Sequence, residues 1–390
     1  MKILVVGCGQ CGGRISDEFA RLNIRARKQR GIEIVTDCFA VNTDMADLAG
    51  LYYLKRDSQH RILIGGQKTS GHGVGKINEL GAQIAQEESD KFLEAIRRAE
   101  RARDVDAIIL AAGAAGGTGS GAIAILTQHL KGFFPNKPIY NLIVLPFKHE
   151  EMTEERIIYN TGTCLKSAFL VADAVFLVDN QRFIKNNVSL RNTFNNINAL
   201  VVDPFYNLLC AGEEKKPERI GSKVLDAGDI IQTLSGWTSI GHGVTRIPLF
   251  KLFETNVGDF REKAAQAQEE IRAMHTAMDS LSLRCNPNDA RRALYLLSAP
   301  HDKMSMNLIK DLGDTLKDIA RDAVVRSGDY PIEKRQLEVT VILSELRSVG
   351  RITDLFTKVI FYISSRKPHR RIGAEELQLK DAFKDIPTLL

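Results

Sequence analysis

The chain has 390 residues and a formal net charge of +5, with 44% hydrophobic and 26% charged residues. This is an ordinary globular composition, long enough for a sizeable core and two domains. No apolar run approaches the ~20 residues a membrane span needs. The basic clusters at Arg25–Arg30 and Arg366–Arg371 lack interleaved aromatic residues, so no nucleic-acid partner is expected.

The N-terminal MKILVVGCGQ reads as a first strand and not as a signal peptide. The Cys8–Cys11 pair has no second pair nearby, which makes no metal or redox case and suits a reducing cytoplasm. Ile3–Val6 is a strand, Gly7–Gly13 its turn, and Ile15–Leu22 has helical spacing. Gly7, Gly9 and Gly12 satisfy the GxGxxG dinucleotide pattern. A second strand, Ile34–Val41, ends in Asn42-Thr43-Asp44, an acid placed as a ribose would require. A dinucleotide-dependent oxidoreductase is therefore one reading. Gly71, Gly73 and Gly75 alternate ahead of a helix and read as an anion-facing loop or a plain flexible one.

The apolar run Ala107–Leu110 leads into AAGAAGGTGSG at Ala111–Gly121, followed by a helix to Leu130. Gly116, Gly117, Gly119 and Gly121 lack a Cβ and let backbone N–H groups approach a ligand. Thr118 and Ser120 add hydroxyls, and the helix N-terminus favours an anion. This is a phosphate cradle without a lysine, or a tight turn that packs helix on strand. It lies far along the chain from Gly7–Gly13, and one dinucleotide does not need both.

Tyr140–Leu145 is a strand, Thr153–Ala172 a helix and Ala174–Val178 another strand. Glu150 suits a helix start, and Asn180 is a turn residue or a paired donor and acceptor. Pro204 should kink the helix that contains it. Asp226 and Asp229, three apart, share one face of a helix start and suit an N-cap. Asp259–Leu281 and Lys303–Ser327 read as helices, and 292–298, 337–344 and 359–364 as strands, which gives an α+β second part.

Together these loops resemble the tubulin/FtsZ family. AGGTGSG at Ala115–Gly121 is similar to its GGGTGSG signature, with Ala115 replacing the first glycine. GQCG at Gly9–Gly12 and FLVDN at Phe176–Asn180 resemble tubulin loops. VNTD at Val41–Asp44, PFKHEE at Pro146–Glu151 and LDAGD at Leu225–Asp229 resemble FtsZ ones. FNNIN at Phe194–Asn198 is similar to the YTNLN of tubulin's central helix. GHGVGKINELGAQIAQE at Gly71–Glu87 resembles the archaeal tubulin-like CetZ proteins.

The resemblance implies an α/β, parallel-sheet GTP-binding domain (1–190) and a long central helix (191–213). A smaller α+β activation domain with an acidic catalytic loop (214–365) and a C-terminal tail (366–390) would follow. It implies GTP/GDP and Mg²⁺ as cofactors. Gly9, Gln10, Cys11, Gly12, Gly71, Gly73 and Gly75 would hold the nucleotide, together with Ala114, Ala115, Gly116, Gly117, Thr118, Gly119, Ser120 and Gly121. Asn42 and Asp44 would join them, Asp44 reaching the metal through a water, with no direct protein ligand to it. Glu150 would lie near the ribose and Asn180 near the guanine or its sugar. Phe194 would stack on the base and Asn198 read its edge. Asp226 and Asp229 would act on the next subunit's nucleotide, which makes a cytoplasmic GTPase that polymerises head to tail, for cell-shape control. An FtsZ-type division protein is the neighbouring alternative. The tail is a candidate site for a membrane anchor or regulatory protein.

Overall fold

The computed structural model describes residues 1–183, 197–246, 271–366 and 384–390. Ten strands form one sheet in the order β3-β2-β1-β4-β5-β6-β7-β10-β8-β9. β1 (Ile3–Cys8), β2 (Val35–Asn42), β3 (Arg61–Leu63), β4 (Ala107–Gly113), β5 (Ile139–Leu145) and β6 (Ala174–Asp179) are parallel. β5 and β6 are buried along their whole length, as parallel strands covered on both faces must be. Side chains alternate across the sheet. Leu4 and Val6 of β1 pack with Ile123, Leu126, Leu165 and Phe356 on one face. Ile3 and Val5 pack with Ile15, Phe19, Phe205 and Leu209 on the other.

β7 (Gly236–Arg246) continues the sheet beside β6 through Gly236, Trp237 and Thr238. It pairs antiparallel with β10 (Gln336–Ser344), which pairs antiparallel with β8 (Arg292–Ala299). β8 lies parallel to the edge strand β9 (Val324–Pro331). The second part of the chain is thus mixed α+β, joined to the first by sheet pairing.

Several sequence expectations need correction. Residues 359–364 are not a strand but part of the helix Gly350–Arg366. Ile352, Leu355, Phe356, Val359 and Ile360 are all buried, and that i, i+3, i+4, i+7, i+8 spacing belongs to a helix. The expected helix Lys303–Ser327 stops at Ile319, and its last part is β9, where Val324 and Val325 begin an extended run. The expected helix Thr153–Ala172 is present as Glu155–Val171, and a separate short helix, Lys148–Thr153, precedes it, with Glu154 extended between the two. Of the central helix, 197–202 and Phe205–Ala211 are described and helical, with a turn at Asp203 and Pro204. Pro204 has no N–H to continue the ladder.

The C-terminal end docks on the chain itself. Ile386 is buried, Lys166 Nζ donates to its carbonyl, and Leu389 N–H donates to Ser167 Oγ at 2.9 Å. Among the described residues no helix is long and apolar enough to cross a membrane.

Ahead of β3, the His60 imidazole stacks on Phe39 and lies between Asp37 and Asp57, with Nδ1 2.6 Å from Asp57 Oδ1 and Nε2 3.2 Å from Asp37 Oδ2. Burial alone would lower its pKa, but the bonds to Asp37 and Asp57 outweigh burial and raise it. The same contacts, against burial, lower the pKa values of both acids. A raised histidine pKa stabilises fully below the unfolded value of ~6.5 and is lost as pH rises through the folded value. The carboxylates lose their share as pH falls through their own lowered values. The stability gap between wild type and His60→Asn should therefore be widest near pH 5–6 and narrow at pH 9. Urea titrations at both pH values check this.

Candidate functional site

The carboxyl ends of β1, β2, β4, β5 and β6 open into one cavity of about 400 Å³. This is where an open α/β sheet holds a ligand. Gly9, Gln10 and Cys11 border it from the start of the helix Gly9–Arg30. That helix begins immediately after β1, so the expected Gly7–Gly13 loop is mostly its first turn. Gly9 takes a left-handed φ of +69°, and a Cβ there would lie 2.7 Å from Gly119 N. The two glycine turns, distant in sequence, therefore touch and share one site. Burial pushes the Cys8 and Cys11 thiols up to about 12, so both stay protonated.

Asp47 ties the first two loops together. It accepts from Gln10 Nε2 at 2.6 Å and from Asn42 Nδ2 at 3.1 Å. Asn42 Oδ1 turns back onto Thr43 N–H at 2.8 Å. Asp44 caps the helix Met45–Ala49 by accepting from Asp47 N–H at 3.0 Å and still borders the cavity. The glycine loop docks on this segment through Met45 N–H to Gly71 O at 3.0 Å and Gly73 N–H to Thr43 O at 3.1 Å. Gly71, Gly73 and Gly75 all have positive φ, but only Gly73 of the three borders the cavity.

In the central cradle Ala115, Gly116, Gly117, Thr118 and Gly119 border the cavity. The helix Thr118–Phe133 starts there without a side-chain cap, so its first N–H groups are left for a ligand. Thr118 Oγ1 lies 2.6 Å from Thr43 Oγ1. The remaining expected cradle residues do other work. Ser120 is fully buried and donates its hydroxyl to the carbonyls of Gly116 and Gly117. Ala114 is buried and donates its N–H to Val144 O at 2.9 Å. A Cβ on Gly121 would fall 2.2 Å from Asn78 O, and one on Gly12 2.0 Å from Ala111 O, so both are packing positions. A Cβ on Gly117 would strike Val74 at 2.5 Å, whereas one on Gly116 would meet open space.

Glu150, Asn180, Ile197 and Asn198 also border the cavity. Glu150 takes the helix-start role. Its Oε2 accepts from Phe147 N–H at 2.8 Å, capping a helix, and it borders the cavity. Asn180 Oδ1 is buried and has no hydrogen-bond partner among the described residues. Phe194 lies outside the described residues. Asp226 and Asp229 are not in the cavity wall. Asp226 caps the helix Ala227–Thr233, and Asp229 lies 3.5 Å from Arg326 Nε.

Arg14, Asp47 and Lys76 also border the cavity and were not anticipated. Lys76 directly follows the glycine loop, so the site is not without a lysine; it pairs with Glu154. Arg14 lies one helical turn beyond Gln10, a spacing that puts both on one side of the helix.

Comparison with known proteins agrees with this geometry. The GTPase domain of the tubulin/FtsZ family matches residues 2–187, and the C-terminal domain of tubulin-like CetZ matches residues 187–360. Tubulin-like protein CetZ1 of Haloferax volcanii is 31% identical over 371 residues, which cover 91% of each chain. A solved GDP-bound monomer of H. volcanii CetZ1 is 28% identical with a TM-score of 0.79, covering 93% of this chain and 100% of that one. A GTPγS-bound protofilament of H. volcanii CetZ2 is 27% identical with a TM-score of 0.80, covering 94% and 99%. The oxidoreductase reading of Gly7, Gly9 and Gly12 gives way. The chain belongs to the CetZ family of tubulin-like proteins, within the tubulin/FtsZ family.

Proposed function

We propose that the cavity binds GTP and that the chain hydrolyses it to GDP and phosphate after a second copy stacks on it head to tail. One observation carries this reading. Two glycine turns and an uncapped helix N-terminus converge on one cavity, which Asn180, whose buried Oδ1 has no partner among the described residues, also borders. The glycine turns and helix start suit phosphates. Asn180 offers an acceptor to the N–H groups of guanine.

Asp44 and Asp47 beside a polyphosphate would repel it unless a cation intervened, so the residues fit Mg²⁺. Mg²⁺ usually keeps several waters and is bound through one or two carboxylates plus substrate phosphates. Asp44 would hold one of those waters, and the bound ion would neutralise charge on the phosphates. Thr118, Lys76 and the backbone of Gly116–Gly119 orient the γ-phosphate. Phosphoryl transfer then needs an aligned water, and Asp226 and Asp229 of the neighbouring copy supply its positioning. A heterologous contact of this kind propagates into an open filament. The filament serves cell shape in the cytoplasm. A regulatory or membrane-anchoring partner would compete for the docked C-terminal end.

Phe194 stacks on the base and Asn198 reads its edge. Phe194→Ala should weaken GTP binding by ~1–3 kcal/mol, and Asn198→Ala should reduce preference for GTP over ATP. Calorimetry with both nucleotides checks this, and unchanged affinity and selectivity in both variants would remove the assignment. Identifying the nucleotide in purified protein, with light scattering after adding GTP and Mg²⁺, tests the wider reading. An empty or adenine-loaded protein that never scatters would refute it.

A further inference from the structure

We infer that Asn160 is a positioning residue that fixes the polarity of the phosphate cradle, an assignment that rests on the nucleotide reading above. Asn160 sits on the helix Glu155–Val171, is fully buried, and lies behind the cradle, not in the cavity wall. Its Nδ2 lies 2.9 Å from Lys76 O, 3.0 Å from Gly116 O and 3.1 Å from Ala115 O, with its two hydrogens shared among the three carbonyls. One amide nitrogen thereby holds carbonyls from both the glycine loop and the central cradle.

The consequence follows from peptide geometry. In a trans peptide the C=O of one residue and the N–H of the next point opposite ways. Drawing the carbonyls of Ala115 and Gly116 toward Asn160 turns the N–H groups of Gly116 and Gly117 away from it, toward the cavity both residues border. Among the described residues, neither N–H has a protein acceptor. Gly116 and Gly117 have no Cβ to resist a peptide flip. Without Asn160 a flipped peptide would present a carbonyl oxygen to an anion.

The third carbonyl matters for charge. Lys76 is a non-glycine residue at φ +60°, a region that must be held by its surroundings. Asn160 holds it there, and Lys76 itself borders the cavity. The amide has only one workable orientation. Asn160 Oδ1 is buried without a partner among the described residues, and exchanging it with Nδ2 would set an oxygen against three carbonyls.

The test compares GTP and GMP binding by calorimetry in wild type, Asn160→Leu and Asn160→Ser. GMP keeps the base and sugar contacts but lacks the β- and γ-phosphates. Asn160→Leu should cut the ratio of GTP to GMP affinity about 10- to 100-fold, the usual effect of stranding buried partners, with GMP affinity unchanged. Asn160→Ser, which keeps one donor, should recover part of the ratio, and it carries the comparison if the leucine variant does not fold. A lower melting temperature with the wild-type ratio would mean a packing role only and overturn the assignment. Wild type that binds neither nucleotide would overturn the nucleotide reading and this one together. Wild type that favours GTP, with variants that favour it equally, would overturn this one alone.

Discussion

Replacing Asp226 and Asp229 together with asparagine should lower GTP turnover about 10²–10⁴-fold, the usual cost of losing a water-positioning or general-base group. GTP affinity and melting temperature should stay where they are. Neither carboxylate borders the chain's own cavity, so binding within one copy does not depend on them. Asp226 Oδ1 accepts from Asp229 N–H at 2.9 Å as the cap of Ala227–Thr233. Asparagine caps as well as aspartate, so the double variant keeps the helix start and removes both charges. The Asp229–Arg326 pair is partly exposed and contributes ~1 kcal/mol at most. Phosphate release, calorimetry and thermal melts on one preparation check this. Normal turnover in the double variant would reduce the two acids to a helix cap.

Gly12→Ala should destabilise the protein by roughly 3 kcal/mol, the upper part of the range for overpacking, and weaken nucleotide binding as well. The new methyl would fall 2.0 Å from Ala111 O and 2.8 Å from Ala111 C. Both are backbone atoms of β4, which β1 and β5 pin on either side. The strand cannot retreat, so the start of the helix Gly9–Arg30 must lift, taking Gly9, Gln10 and Cys11 with it. Gly116→Ala makes the contrast. Its methyl meets no neighbour, so stability should hold while phosphate affinity falls. Urea titration of the two variants, each with and without GTP, separates a packing glycine from a ligand-facing one. Equal stability losses would contradict the distinction.

The parallel core was legible because each buried strand is one apolar run ended by a turn. β1, β4, β5 and β6 all announced themselves that way. The cradle was legible for the same reason, since glycine density marks close backbone approach. What glycine density does not say is which residue is approached. Gly116 faces open space, while Gly12 and Gly121 face other backbone, and that depends on partners far away in sequence. The misread segment 359–364 shows a different limit. A short apolar run fits a buried strand or a buried helix face equally, and only the register with Ile352 and Leu355 decides. Asn160 carried no local signal, because its role comes from carbonyls 44–84 positions away. Asp226 and Asp229 read as helix-cap acids from sequence and form a cap in the structure. The larger role proposed for them requires a second copy.

That requirement can be tested by mixing. One chain carries Asp226→Asn and Asp229→Asn with an intact cavity. The other carries Asn180→Ala and Asn198→Ala in the cavity with intact acids. Phosphate release is measured for each alone and for the mixture at the same total concentration, with GTP and Mg²⁺. If the site is shared between copies, the mixture releases phosphate well above the sum of its separate components, because the acids of one chain serve the nucleotide of the other. Release equal to that sum, or turnover by the acid-less chain alone at the wild-type rate, would contradict a catalytic site completed by the neighbouring subunit.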